Sequence, residues 1–256
     1  MRARKLRFVP SQNEKFCVNQ QFCKWLYKQL LDSRVQAMNS LQQIEFLQSK
    51  TLASLVQDEI IRMIKDGELS SGAKLVEASF TNRLNISRAG VREAFRALEE
   101  AGLVRLEKNR GAYVRDFSKT EAVELFEMRS CLEEMAGRRL AEKITDQQIE
   151  ELQRLNERLS AFAKKSAIDQ YYPLNITFHD RFVEFSHHAA LRAMYRRLTD
   201  QMHLLRRRGY ESGDGLLKSH AEHAAILDAL ASREADAIVL AIKTHSMNGM
   251  MRYLAL

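Results

Sequence analysis

Apolar residues first recur with a sharp helical period from Leu52 onward, where Leu55, Ile60, Ile61 and Ile64 mark a helix that stops at Asp66-Gly67. Ser70-Ser71-Gly72 makes a turn. A short helix is predicted from about Glu77 to Leu84, and Asn85-Ile86 forms a tight connection to a third helix with Ser87 as its N-cap. After Ala101-Gly102 the apolar spacing shortens to alternation. Residues 103–107 and 112–115 read as two short strands flanking Lys108-Asn109-Arg110-Gly111. Three helices followed by a hairpin is the order of a winged helix-turn-helix, placed here over residues 51–117. Residues 118–256 carry no strand signal, and their apolar positions recur at three and four. Six or seven helices are predicted, near 120–142, 146–165, 169–187, 189–209, 213–231 and 233–254, with the fourth or fifth open to splitting. The fold class expected is mainly α, a winged helix followed by an all-helical bundle.

Ahead of these elements, residues 1–50 read as an extension. Met1–Arg7 is a basic run, and residues 16–31 are weakly amphipathic through Phe22, Leu26 and Leu30. A phosphate-touching arm, a helix for a partner, a disordered tail and sequence upstream of a start at Met38 are all open readings. At 256 residues, with 45% apolar and 29% charged positions and only two prolines, the chain suits two helix-rich globular domains. No apolar run reaches the roughly 18–20 residues that span a bilayer, and the N-terminus lacks a secretory pattern, so a cytoplasmic protein without a membrane partner is expected. Cys17, Cys23 and Cys131 show no metal or disulfide spacing and read as reduced thiols. The net charge of +7 is misleading as a pointer to nucleic acid. Residues 1–50 hold nine Lys/Arg against three Asp/Glu, whereas 51–117 hold eleven against ten.

The candidate chemistry lies in two side-chain patterns. On a helix starting after Ser87, Arg88, Arg92 and Arg96 fall at roughly 0°, 40° and 80°, while Val91, Phe95 and Leu98 fall at roughly 300°, 340° and 280°. An apolar edge for packing thus adjoins a cationic edge of guanidinium forks suited to guanine or phosphate. A merely solvated charged face has the same spacing. In the second half, Asn175 and His179 stand four apart on one helical face, and His223 and His245 lie on two later helices. Each of those two histidines sits within an apolar stripe, Ile226/Leu227/Leu230 and Val239/Ile242 respectively. Three imidazoles and one oxygen from three helices can converge on a divalent cation, zinc first, with nickel or manganese as alternatives.

Residues 69–114 resemble the GntR family of regulators. The likeness runs from Leu-Ser-Ser-Gly-Ala-Lys-Leu-Val-Glu-Ala through Ser87-Arg88-Ala89-Gly90-Val91-Arg92-Glu93-Ala94-Phe95 to Gly102-Leu103-Val104 and Gly111-Ala112-Tyr113-Val114. It implies that the stretch from Ser87 is the recognition helix, that Arg88 and Arg92 contact DNA, that Gly111 turns the wing, and that Arg110 reaches toward the minor groove. Together with Arg96 these form the candidate DNA-binding set. Phe80-Thr81 stands for the usual Leu-Ala, Ala89-Gly90 for Thr-Pro, and Ala78 occupies an early-helix position that is basic in some members. Operator sequence is therefore not borrowed from relatives.

The second half resembles the FCD (FadR C-terminal) domain through Arg129-x-x-x-Glu133, Asn175-Ile176-Thr177-Phe178-His179, Glu222-His223-Ala224-Ala225-Ile226 and the segment from Asp236 to His245. In metal-binding members an Asp and three His match positions 175, 179, 223 and 245. Asn175 departs from that set, and a neutral amide oxygen is the weaker ligand. The resemblance further implies a small carboxylate effector and places Arg129 at its pocket, while an intrahelical Arg129–Glu133 pair is the competing reading. Arg206-Arg207-Arg208 reads as a solvated face, and His187, His188, His203 and His220 as structural. The function expected is a homodimeric DNA-binding regulator, a repressor first and an activator second. It is not expected to be an enzyme. Its paired heads would meet half-sites of a pseudo-palindromic double-stranded operator about 34 Å apart and respond to the effector. A metal-dependent hydrolase built on the three histidines, or a DNA-binding scaffold with an empty pocket, are the competing classes.

Overall fold

The computed structural model describes residues 52–210 and 213–256. The expectations for residues 1–50, including Cys17 and Cys23, lie outside the described residues; Cys131 is a free, exposed thiol. By internal contacts the chain divides into two compact units. Among the described residues, one comprises those up to Val56 with Val76–Ala94, and the other comprises Gln57–Leu75 with the described residues from Phe95 to Leu256.

Helix α1 (Leu52–Lys65) buries Val56, Ile60 and Ile64 at four-residue spacing, one stripe of a 3.6-residue period. It ends where Gly67 takes a positive φ of 78°. Strand β1 (Lys74–Leu75) follows, then α2 (Glu77–Leu84), which closes on Asn85 in the left-handed region. Helix α3 (Arg88–Glu100) starts where the Ser87 hydroxyl accepts a hydrogen bond from the Gly90 amide at 3.1 Å, the capping role its sequence position predicts.

Strands β2 (Val104–Glu107) and β3 (Gly111–Val114) pair antiparallel, Val104 with Val114 through Glu107 with Gly111. Asn109 and Gly111, at φ 64° and 102°, take the positive-φ positions that reverse the chain. The sheet has one strand more than the expected hairpin. Lys74 and Leu75 pair with Tyr113 and Ala112, giving the order β1-β3-β2. Two residues are too few to show alternation, so only the partner strand reveals them.

Six helices complete the described chain: α4 (Lys119–Lys143), α5 (Asp146–Ala163), α6 (Ile168–Phe185), α7 (Ala189–Arg206), α8 (Gly215–Ser232) and α9 (Ala235–Leu254). Capping boxes, Ser118 with Glu121 and Thr145 with Gln148, fix the starts of α4 and α5. The fourth predicted bundle helix does split. It ends at Arg206 and is followed by a 3-10 turn, Arg208–Tyr210. The most extensive packing is α4 along α9, with α8 against α5 and α9 and α6 against α5. Gly137 makes the closest approach possible, since a Cβ there would lie 2.6 Å from Ile242 Cδ1 and 2.8 Å from Ile238 Cγ2. None of the helices among the described residues is long and apolar enough to cross a membrane.

Candidate DNA-facing helix and buried histidine centre

The cationic edge of α3 stands clear of the core. Arg88, Arg92 and Arg96 are exposed, while Val91, Phe95 and Leu98 are buried, as the angular spacing requires. Arg92 Nε lies 3.0 Å from both carboxylate oxygens of Glu77 at the start of α2, a pairing the sequence reading did not anticipate. Arg110 sits exposed beside Gly111 at the tip of the β2–β3 turn, with Nη1 3.8 Å from Glu107. The departures from the family pattern are absorbed by packing: Phe80 is buried, and the Thr81 hydroxyl donates to the Glu77 carbonyl.

In the bundle, His179 from α6, His223 from α8 and His245 from α9 are all buried. One nitrogen from each lies within 4.8 Å of the others. The Nε2 atoms of His179 and His223 are 3.3 Å apart. That matches the edge of a tetrahedron around an ion with nitrogen bonds of about 2.0–2.1 Å, an edge of roughly 3.3 Å. Burial pushes His179 and His223 well below the usual imidazole range and lowers His245 as well, so the rings are held neutral, the state that ligates a cation.

Two carboxylates orient this cluster. Glu222 Oε2 is 2.8 Å from His245 Nδ1, and Glu133 Oε1 is 3.1 Å from His179 Nδ1. A carboxylate only accepts, so the Nδ1 facing it is the protonated nitrogen; Nε2 then carries the lone pair, which at His179 lies 3.3 Å from Arg129 Nη2. Both carboxylates are themselves held ionised. Burial alone would raise Glu133, but Arg129 and His179 keep it well below the usual carboxylate range. Burial likewise opposes Glu222, yet its bonds from His245 and Arg252 bring it down to about 2. Phe178 stacks on His223 with ring centroids 4.4 Å apart and fixes the third ring.

Asn175, one turn before His179, is 0% exposed, and neither its amide oxygen nor its amide nitrogen has a hydrogen-bond partner among the described residues. The same is true of His223 Nδ1. A fully buried, unbonded amide costs of order 1–3 kcal/mol, which fits an oxygen reserved for something that enters the cluster. The donor set, three neutral imidazole nitrogens and an amide oxygen, suits a divalent cation.

Arg129 makes the intrahelical pair with Glu133 that was the competing reading, and it also reaches the histidine cluster. Its Nε and Nη2 donate to Glu133 Oε1 at 3.1 and 2.9 Å, and Nη2 also lies 3.2 and 3.3 Å from the two ring nitrogens of His179. The solvated-face expectation for residues 206–208 holds only at Arg208, since the Arg207 side chain is 14% exposed and paired with Asp169. Arg206 is 5% exposed and lines a cavity with Phe126, Arg129, Tyr210, His245 and Arg252. A run of three arginines carries no sign of which one the end of a helix turns inward. On α9 the buried stripe is Ile238 and Ile242, with Val239 half-buried, one residue off the predicted face.

The remaining histidines have structural partners. His203 Nδ1 is 2.9 Å from the Tyr172 hydroxyl, His220 Nδ1 is 2.9 Å from Asn156 Oδ1, and His188 caps α7 by accepting from the Leu191 amide; His187 takes a positive φ of 49° at the turn before α7. Glu222, Arg206 and Arg252 were missed as site residues. Glu222 had only its place beside His223 to mark it, and Arg252 had no signal.

The model of bacterial regulatory proteins of the gntR family matches residues 52–114, and that of the FCD domain matches residues 124–248. A probable D-xylose utilization operon transcriptional repressor of Paenarthrobacter nicotinovorans is 32% identical over 197 residues, 76% of this chain and 85% of that protein. The chain belongs to the GntR family. Another similar relative of this GntR-family chain is the HTH-type transcriptional repressor RspR of Escherichia coli strain K12, 29% identical over 184 residues, 69% of this chain and 78% of the other. Among solved structures, E. coli McbR/YncC has the same fold with a TM-score of 0.71 at 22% identity, covering 80% of this chain and 99% of that one. As a GntR-family member with an FCD domain, the protein is a DNA-binding transcription regulator and not an enzyme, which removes the hydrolase alternative.

Proposed function

We propose that this regulator is a repressor released from DNA by a small carboxylate that binds beside a divalent cation in the helical bundle. Residues 51–117 serve as the DNA-binding head and residues 118–256 as the sensing and dimerisation half. The observation that carries the reading is the convergence of three buried, neutral histidines, with the buried amide of Asn175, one helical turn before His179, left without a hydrogen-bond partner among the described residues. His179, His223 and His245 would hold the cation, with Asn175 Oδ1 as the fourth group and zinc ahead of nickel or manganese. The ion would supply a localised positive centre for an anionic oxygen. Arg129, at the cavity that His245 also lines, supplies a guanidinium for a carboxylate.

On the DNA side, Arg88, Arg92 and Arg96 form the groove-facing ridge of a helix that starts from Ser87, and Arg110 with Gly111 forms the wing tip. Support comes from their exposure beside a buried apolar edge. A homodimer would present two such ridges to the half-sites of a pseudo-palindromic operator about 34 Å apart. The site of action is the cytoplasm, where the bacterial chromosome lies. Gating requires that the effector bind the DNA-competent and DNA-free forms with different affinity.

Fluorescence anisotropy with operator DNA selected from random duplexes tests this, using zinc-loaded protein and a panel of small carboxylates. One member is expected to weaken DNA binding at least tenfold. DNA affinity unchanged by every carboxylate that binds the protein would defeat the gating, and protein that retains no metal would favour a scaffold instead.

A further inference from the structure

Resting on the reading of the bundle as a site for a cation and a carboxylate, we infer that the two load as a pair, each supplying the charge the other needs. Asn175 and Arg206 carry the inference. The cation would meet no charged protein ligand, since three imidazoles and an amide are all neutral. The two nearby carboxylates are committed elsewhere. Glu133 Oε1 accepts from Arg129 at 2.9 and 3.1 Å and from Tyr195 at 2.8 Å. Glu222 accepts from Arg252 at 2.7 and 3.0 Å, from Asn248 at 2.9 Å and from His245 at 2.8 Å.

The cavity that His245 lines also holds Arg129, Arg206 and Arg252, three guanidiniums against two carboxylates. Arg206 is buried, and its Nη2 has no hydrogen-bond partner among the described residues. A guanidinium does not lose its proton, so its Nη2 remains a buried donor without an acceptor, and Glu133 acts on Arg206 only through space. A dication added alone enters a pocket already in positive excess and is disfavoured. An anion added alone satisfies Arg206 but finds no further centre of charge. Added together, the anion gives Arg206 its acceptor and the cation an anionic oxygen. A cation held by His179 Nε2, 3.3 Å from Arg129 Nη2, would take that lone pair and leave Arg129 free to donate to the anion. An aspartate at position 175 would build one negative charge into the protein; asparagine leaves that charge to be brought by the ligand.

Binding coupled in this way is reciprocal, so each partner tightens the other by the same factor. Zinc affinity of the full chain is measured by competition with a chromophoric chelator, alone and with acetate or malonate as probes, with solution complexation of zinc subtracted. At least tenfold tighter zinc binding is expected with one of the two anions. Asn175→Asp is expected to bind zinc at least tenfold tighter than the parent without any anion, and to lose most of the coupling. Arg206→Met removes one positive charge from the pocket, so it is expected to bind zinc alone more tightly than the parent and to lose most of the coupling. Parent protein that binds zinc equally well with and without both anions overturns the pairing while leaving the metal site intact. Failure of both the parent and Asn175→Asp to bind zinc under any of these conditions overturns the metal site and the pairing with it.

Discussion

Arg92 Nε lies 3.0 Å from both carboxylate oxygens of Glu77, so one guanidinium of the proposed DNA-facing ridge is held on the surface by the first residue of the preceding helix. The Arg92 side chain is 62% exposed, and a solvated pair of this kind is screened by water and contributes little to stability. A guanine or phosphate contact is worth about 1–3 kcal/mol. On the proposed DNA-binding role, duplex DNA would therefore take Arg92 from Glu77 at little cost. Arg92→Ala is expected to weaken operator binding about tenfold or more with an unchanged helical spectrum. Glu77→Gln removes an anion that faces the phosphates, and is expected to strengthen binding to unrelated duplexes severalfold and to narrow the preference for the operator. Anisotropy titrations on both duplexes measure this, and an unaltered ratio for Glu77→Gln would count against the pair as a brake.

The histidine cluster predicts stabilisation by metal. Zinc at about one hundred times its dissociation constant should add about 2.7 kcal/mol through binding to the native state alone. The thermal midpoint should therefore rise with zinc and fall again with a chelator. His223→Phe retains the stack on Phe178 and removes one ligand; its midpoint is expected to ignore zinc. A zinc response as large as the parent's would show that the ion binds elsewhere.

His203 gives the acid side of the stability curve a definite sign. Burial first, then Lys65 and Arg206, holds it well below the usual imidazole range while its Nδ1 contacts the Tyr172 hydroxyl. Because the folded-state value is depressed, the unfolded chain takes up the proton first. The contribution is complete above the unfolded value of about 6.5 and is lost as pH falls below it, by at most about 1.4 kcal/mol per pH unit. In urea unfolding between about pH 7.5 and 5.5, His203→Asn is expected to lose less stability than the parent. Parallel losses in the two proteins would refute the assignment.

Gly137 tests how tightly α4 and α9 close. An alanine gains up to about 1 kcal/mol of helix propensity, but its Cβ falls 2.6 and 2.8 Å from methyls of Ile242 and Ile238. Ile238 is β-branched and buried, so its Cγ2 has little freedom to retreat. Overpacking of this kind costs about 1–3 kcal/mol. Gly137→Ala is expected to lower the thermal midpoint, and a rise would mean that the helices separate at no cost.

Much of the candidate site was legible because helical spacing fixes which residues share a face. The four-residue step from Asn175 to His179 and the arginines at 88, 92 and 96 needed nothing beyond the period of the helix. The inward turn of Arg206 was not legible, because Arg206, Arg207 and Arg208 are identical in chemistry. Only the 3-10 turn after α7 determines which of them the bundle encloses. Strand β1 was invisible for a related reason, since two residues have no period of their own.

The chain by itself determined the succession of helices, the caps at Ser87, Ser118 and Thr145, and the residue types that bear the chemistry, because these depend on neighbours a few positions away. Tertiary structure alone decided that Glu222 and Glu133 would orient two imidazoles, that Arg206 would be buried with its Nη2 lacking an acceptor among the described residues, and that Glu77 would hold Arg92. Each of these joins residues on different helices, or turns on which side of a helix the bundle covers, and packing in three dimensions sets both.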